Sequence, residues 1–116
     1  GAGTRCMSPA ARHRAALREN VIARLRAHLA AHPPLGAERV ILFGSVARGD
    51  FDGASDADVL VIGDGPLPDS SIQAAAEREV DLLPWTPAQW RRALAEGHPL
   101  AERVTHEGVE LWRAGA

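Results

Sequence analysis

The chain has 116 residues, of which 46% are hydrophobic and 24% charged, and its formal net charge is −2. That length and composition allow one globular domain with a core, and they exclude a fibrous or a disordered chain. A small negative charge gives no overall field that attracts nucleic acid, so long polynucleotides are disfavoured as partners.

The sequence also limits the compartment. No apolar run approaches the roughly 20 residues that a membrane-spanning helix needs, and no signal-peptide pattern is present. The only cysteine, Cys6, excludes an internal disulfide framework. We therefore expect a cytoplasmic protein without membrane contact. Residues 1–7 include the only methionine, Met7; we expect them to be disordered or left by cloning, and residues 8–116 to form one domain.

The first third of the chain predicts a long helix and then a strand. Ser8 and Pro9 form an N-cap and first-turn pair, and apolar residues recur at helical spacing as far as Leu29. Two prolines and a glycine after His32 end this helix. The apolar, β-branched run from Arg39 to Phe43 predicts a buried strand.

A turn, a loop and a second strand follow. Gly44 and Ser45 break the first strand, and residues 46–48 have room for one helical turn before a loop rich in glycine and aspartate. Asp56 to Ile62 predicts the second strand because apolar residues dominate it.

The last part of the chain predicts three more helices and two more strands. They are a helix capped by Asp69 or Ser70 and running to about Arg78, a strand Val80–Leu83 ending at Pro84, a helix from the capping box at Thr86 to about Glu96, a short helix Leu100–His106, and a strand Val109–Trp112. The order α-β-β-α-β-α-α-β predicts an α/β (α+β) protein in which helices back a small sheet.

Three aspartates stand in strand-forming segments, where a desolvated carboxylate is costly. Asp56 and Asp58 share a face of the second strand, and Asp81 can join them if its strand is the neighbour, about 4.8 Å away. Such a trio repels itself unless cations are bound, and it suits two Mg²⁺ or Mn²⁺ ions together with a phosphorylated substrate. Alternatively, these aspartates only end strands or pair with arginines.

The turn before them suits a phosphate. Gly44 lets a ligand approach the backbone, Ser45 supplies a hydroxyl, and Arg48 adds a positive charge, although a Gly-Ser pair is more often a simple turn. A P-loop is excluded because the chain has no lysine, and GxGxxG is absent. An EF-hand starting at Asp50 fails because its twelfth position is Val61.

These segments together resemble a known family. GSVARGDFDGASDADV, from Gly44 to Val59, is similar to the GSxARGxxxxxSDxDL signature of minimal nucleotidyltransferases of the DNA polymerase β-like superfamily, with Val59 in place of leucine. The likeness extends to VDLL around Asp81 and, more loosely, to EGVELW at the end of the chain. The resemblance implies a small mixed sheet flanked by helices, and transfer of a nucleoside monophosphate from a triphosphate, usually ATP, to a hydroxyl group.

The resemblance also implies roles for single residues. Asp56 and Asp58 would bind two Mg²⁺ ions, and Asp81 would ligate one of them and orient the attacking hydroxyl. Gly44 and Ser45 would hold the β- and γ-phosphates. Arg48 would brace either the loop or the phosphates.

The acceptor is less defined than the donor. Only about 35 residues follow Asp81, too few for a second domain, so we expect an open acceptor site. Minimal members of the family are typically antitoxins that modify a tyrosine of a HEPN-type toxin, which makes such a toxin the expected partner, in a homo- or hetero-oligomer. Two alternatives stay open: a module that binds nucleotide and partner without catalysis, and a transferase for a small molecule.

Overall fold

The computed structural model describes residues 8–51 and 55–115. Residues 1–7, for which the sequence predicted disorder or an origin in cloning, lie outside the described residues. The elements are α1 (Pro9–Ala31), β1 (Ala37–Phe43), α2 (Gly44–Arg48), β2 (Ala57–Gly63), α3 (Ser71–Ala76), β3 (Val80–Trp85), α4 (Pro87–Glu96), α5 (Pro99–Glu107) and β4 (Val109–Arg113).

The four strands form one mixed sheet in the order β3-β2-β1-β4. β1 is antiparallel to β2 and to β4, whereas β2 and β3 are parallel. The mixed sheet flanked by helices confirms the predicted fold class. Because β2 and β3 are parallel and β1 runs against them, the starts of β2 and β3 lie beside the end of β1. The turn and all three aspartates lie at this end of the sheet, where β1 stops and β2 and β3 begin.

Helices cover both faces of the sheet. On one face, α1 and α3 contribute Leu25, Leu29 and Ile72 to a core with alternate residues of β1 and β2. On the other face, α4 and α5 contribute Trp90 and Val104 to a second core. The two central strands are thus buried on both sides, which is why their sequences are nearly continuous apolar runs.

The starts of α1 and α4 follow the predicted capping chemistry, whereas Ser70 at the start of α3 makes no side-chain capping bond. The Ser8 side chain accepts a hydrogen bond from the Ala11 N–H at 3.0 Å. At α4 the Thr86 hydroxyl accepts from the Gln89 N–H, and the Gln89 side chain accepts from the Thr86 N–H. This reciprocal pair is the predicted capping box. No helix within residues 8–51 or 55–115 combines the length and the hydropathy that a bilayer crossing requires.

Several predicted boundaries were wrong by one or two residues, and the ends of α3 and β3 have a clear physical reason. α3 ends at Ala76, not near Arg78, because Glu77 takes a left-handed conformation with φ 55°. β3 continues through Pro84 to Trp85. A proline lacks the N–H that an inner strand needs, but β3 is an edge strand of this sheet and tolerates it.

Candidate active site

The turn predicted to receive phosphate joins β1 directly to α2. Gly44 is buried and has a φ of +80°, a conformation that favours glycine, and it starts the five-residue helix α2. Val46 is fully buried and anchors the helix in the core. Gly49, at φ +85°, ends it and donates its N–H to the Ser45 carbonyl at 2.9 Å. The turn is therefore fixed at both ends.

Gly44 also touches the acidic cluster. The strand register pairs Phe43 with Asp58, so the turn begins immediately beside that aspartate. A Cβ atom on Gly44 would overlap the Asp58 Oδ2 atom. The backbone conformation thus favours glycine here, and any larger residue would also have to displace the Asp58 carboxylate.

The sheet brings Asp58 and Asp81 together. They are direct partners in the parallel register of β2 and β3, so their side chains share a face and are separated by about one strand spacing, roughly 4.8 Å. Asp56 was predicted to begin the second strand but stands immediately ahead of β2, and its negative charge is near enough to raise the pKa of Asp58. Leu60 and Leu83, two residues further along each strand than Asp58 and Asp81, pack in the core beneath α4 and α5. Asp58 and Asp81 therefore belong to the α4/α5 face.

Electrostatics links the three acids. Burial raises the pKa of Asp58 above its usual value, and the negative charges of Asp81 and Asp56 raise it further. Arg103 and Arg48 oppose this shift. The ionised Asp58 is thus held at a cost that a nearby cation would offset.

The donor set fits a hard divalent cation. Carboxylate oxygens are the ligands that Mg²⁺ and Mn²⁺ prefer, and Mg²⁺ commonly takes only one or two of them and completes its shell with water and phosphate oxygens. Within the described ranges, no three acidic, histidine or cysteine side chains are grouped closely enough to enclose a metal ion by themselves. Any metal ion that Asp56, Asp58 and Asp81 hold would therefore take further ligands, such as water or substrate oxygens.

Arg48 is tied to acidic side chains. Its Nε donates to Asp50 at 3.1 Å, and its Nη1 donates to both carboxylate oxygens of Glu107 at 3.1 and 3.2 Å. The hydrogen bond to Asp50, followed by that to Glu107, raises the pKa of Arg48. Of the two roles left open by the sequence, bracing the loop is the one these contacts support.

Sequence reasoning missed two residues of α5. Glu107 accepts hydrogen bonds from the Gly44 N–H and from Arg48, and only 15% of its side chain is exposed. Arg103 lies over the Phe43 ring at 5.8 Å and within 3.8 Å of Glu107. The sequence did contain a hint of Glu107, because it is the first residue of the loosely matching EGVELW segment. No local sequence pattern, however, connects Glu107 with Gly44, which lies 63 residues earlier in the chain.

Arg78 contacts the chain on both sides of residues 52–54. Its Nη1 donates to the Ser55 carbonyl at 2.9 Å, and its guanidinium lies 5.1 Å from the centre of the Phe51 ring. Ala57 donates its N–H to the Glu79 carbonyl at 2.9 Å, which aligns the starts of β2 and β3. These contacts fix the backbone that carries Asp56.

The acidic cluster is open to solvent. Asp56 and Asp81 are exposed and Asp58 is half-buried. A cavity of about 450 Å³ lies elsewhere, at the far end of β2, between the end of α1 and the segment Pro66–Ser71. It is lined by prolines, leucines, two histidines, Asp69 and Ser71, so it contains one carboxylate and not three.

The family follows from these features and from direct comparison. A nucleotidyltransferase domain model matches residues 22–107, most of the chain, and the protein therefore belongs to the nucleotidyltransferase domain family. The matched range runs from the buried half of α1 to Glu107. It includes the turn and all three aspartates.

A curated relative and two solved structures add detail. A Methanocaldococcus jannaschii protein, provisionally named a protein adenylyltransferase, is 68% identical over 25 residues, which are 22% of this chain and 25% of the relative. The match thus spans a quarter of that relative's length.

The solved structures are similar in fold. A toxin-antitoxin crystallised with AMP-PNP has 23% identity and a TM-score of 0.54, over 81% of this chain and 74% of that one. A provisionally named nucleotidyltransferase from Sulfolobus solfataricus has 19% identity and a TM-score of 0.51, over 96% of this chain and 94% of that one.

Proposed function

We propose that this protein, with residues 8–116 acting as one domain, transfers AMP from ATP to a hydroxyl group of a partner protein. The observation that carries the proposal is the register of the sheet. It pairs Asp58 with Asp81, while Asp58 also abuts Gly44 at the start of the turn. A metal-binding cluster and a phosphate-binding turn at one point of the sheet are what nucleotidyl transfer requires.

Each residue has a role that its position supports. Asp56 and Asp58 provide oxygen ligands for two Mg²⁺ ions, and Asp81 completes the cluster from the neighbouring strand. Ser45, half-buried in the first turn of α2, offers its hydroxyl to the phosphates. Mn²⁺ has the same ligand preference and can replace Mg²⁺.

The transfer step balances without further reagents. The acceptor oxygen attacks the α-phosphorus, a new P–O bond forms, and the bond to the bridging oxygen breaks, which releases pyrophosphate. Asp81 orients the acceptor hydroxyl and takes up its proton. Mg²⁺ held by these carboxylates would lower the pKa of the acceptor hydroxyl and neutralise charge on the leaving pyrophosphate. The remaining catalysis is positioning and electrostatics.

The exposure of the site supports a large acceptor. Asp56 and Asp81 are exposed, so a side chain of another protein can reach the cluster. A structural neighbour is a toxin-antitoxin crystallised with AMP-PNP, which supports a toxin as the partner. We propose that this partner is a HEPN-type toxin, that its modified residue is a tyrosine, and that the protein acts as its antitoxin.

A labelling experiment tests the activity. The purified chain is incubated with α-labelled ATP, Mg²⁺ and the product of the neighbouring reading frame. We expect label on a tyrosine of that product. The double variant Asp56→Ala, Asp58→Ala should lower the rate at least about a hundredfold, because it removes most of the metal ligands. The matched control is Asp64→Ala, an exposed residue just past the other end of β2.

The outcomes separate the alternatives. Label transfer that survives the double substitution would contradict the assigned chemistry. Binding of the partner without any transfer, unchanged in the double variant, would indicate a contact-only module. Turnover of ATP onto a small hydroxyl compound, with the partner unlabelled, would indicate a small-molecule transferase.

A further inference from the structure

Glu107 stands in an unfavourable place for an acid. It is the last residue of α5, where the helix dipole repels negative charge, and only 15% of its side chain is exposed. A carboxylate is retained in such a place when hydrogen bonds and positive charges offset the cost.

Two hydrogen-bond donors and one further positive charge surround this carboxylate. The Gly44 N–H and the Arg48 guanidinium donate to it, and Arg103 forms an ion pair with it at 3.8 Å. These groups come from the turn, from the end of α2 and from α5 itself. One side chain thus connects the start and the end of α2 to the helix that covers the acidic face.

We propose that Glu107 is a positioning residue for nucleotide transfer, one that fixes the turn and Arg48 in the geometry that receives the triphosphate. The inference rests on the proposed function. It also changes the role of Gly44, which the family resemblance had assigned to the phosphates together with Ser45. The Gly44 N–H is committed to Glu107, so Gly44 serves by its shape, and Ser45 and the following N–H groups are left for the phosphates.

Glu107 could act in two ways: as a brace, whose carboxylate stays bound to the turn when nucleotide binds, or as a plug, whose carboxylate occupies the phosphate position until the triphosphate displaces it. The contacts favour the brace, because we expect a plug to lie on an exposed segment with a single partner. Glu107 instead has two hydrogen-bonded partners and low exposure. The next residue, Gly108, is packed so closely that a Cβ atom there would come within 2.8 Å of Ile41. The backbone that carries the carboxylate is therefore held against β1.

The two readings predict opposite effects on nucleotide affinity. The experiment measures binding of Mg²⁺ with AMP-PNP by calorimetry for the wild type, Glu107→Gln and Glu107→Ala. A brace predicts weaker binding, roughly tenfold for Glu107→Ala and less for Glu107→Gln, whose amide oxygen can still accept from Gly44. In turnover, the KM for ATP should rise while the KM for the acceptor stays constant. Tighter binding, or unchanged binding in both variants, would overturn the inference.

Matched controls separate folding from positioning. Glu102→Gln and Glu102→Ala make the same changes at an exposed position of α5 and should bind as the wild type does. If Glu107→Ala fails to fold, Glu107→Gln carries the test. The Gly44 amide proton gives a readout without nucleotide: its NMR signal should move upfield in Glu107→Gln, because a neutral acceptor replaces a charged one. Absence of nucleotide binding by the wild type would overturn the proposed function, whereas normal wild-type binding with unaffected variants would overturn this inference alone.

Discussion

Gly44 is the residue at which the turn and the acidic cluster meet. Two independent features disfavour a side chain at this position: the φ of +80° and the Asp58 carboxylate that lies where a Cβ atom would be. Sequence analysis predicted the need for a glycine from the expected approach of a ligand. The structure adds that the nearest occupant of the missing Cβ position is the protein's own carboxylate.

Gly44→Ala should therefore damage the site more than backbone strain alone explains. The strain of a left-handed alanine costs about 1–2 kcal/mol of stability. In addition, the methyl group displaces Asp58, so we expect label transfer to fall at least about a hundredfold. Gly97→Ala is the matched control, because Gly97 has φ +67° at the end of α4 but ordinary space around it. Equal activity loss in the two variants, measured on folded protein, would contradict this account.

The ionised carboxylate of Asp58 destabilises the metal-free fold, although the proposed metal binding needs it ionised. Its pKa is raised by burial and then by Asp81, so the metal-free fold is less stable at pH values where the carboxylate is ionised. The unfavourable contribution of Asp58 to stability should disappear as the pH falls through its folded-state pKa, while Asp69 and Glu110, whose pKa values are lowered, act in the opposite direction.

Asp58→Asn should accordingly stabilise the metal-free protein at pH 7 and abolish transfer. The gain over the wild type should shrink as the pH falls, because the wild-type side chain then becomes neutral too. Thermal melts from pH 4 to 8 measure this, with the exposed Asp64→Asn as control. A variant less stable than the wild type at pH 7 without metal would contradict the view that the ionised Asp58 carboxylate destabilises the metal-free fold.

At the scale of elements, local chemistry was readable from the sequence and long-range pairing was not. The capping signals at Ser8 and Thr86 predicted both helix starts, because capping depends on residues within one turn. The end of β3 was misplaced because Pro84 excludes an inner strand but not an edge strand, and edge position is a property of the whole sheet.

The candidate site divides in the same way. Asp56 and Asp58 were predicted to share a face because strand periodicity is local. The pairing of Asp58 with Asp81 was a condition that only the register of β2 and β3 could meet, and the register meets it. The role of Glu107 was not predicted, because its partner Gly44 lies 63 residues away in the sequence.

At the scale of the whole molecule, the described residues place the chemistry at one edge of a sheet covered on both faces. The central strands supply a rigid frame: Val40, Leu42, Val59 and Leu60 are fully buried. The acidic cluster stands where this frame meets solvent, which suits a large acceptor better than an enclosed small molecule. The acceptor that we propose lies on a partner protein, and its identity therefore depends on residues outside this chain.

Anomalous scattering from a crystal grown with Mn²⁺ and AMP-PNP would show directly whether the three aspartates hold the metal. We expect manganese peaks in contact with oxygens of Asp56 and Asp58, at about 2.2 Å, with Asp81 beside one of them and the triphosphate along the Gly44 turn. Manganese and nucleotide bound elsewhere, with these three carboxylates free of metal, would contradict it.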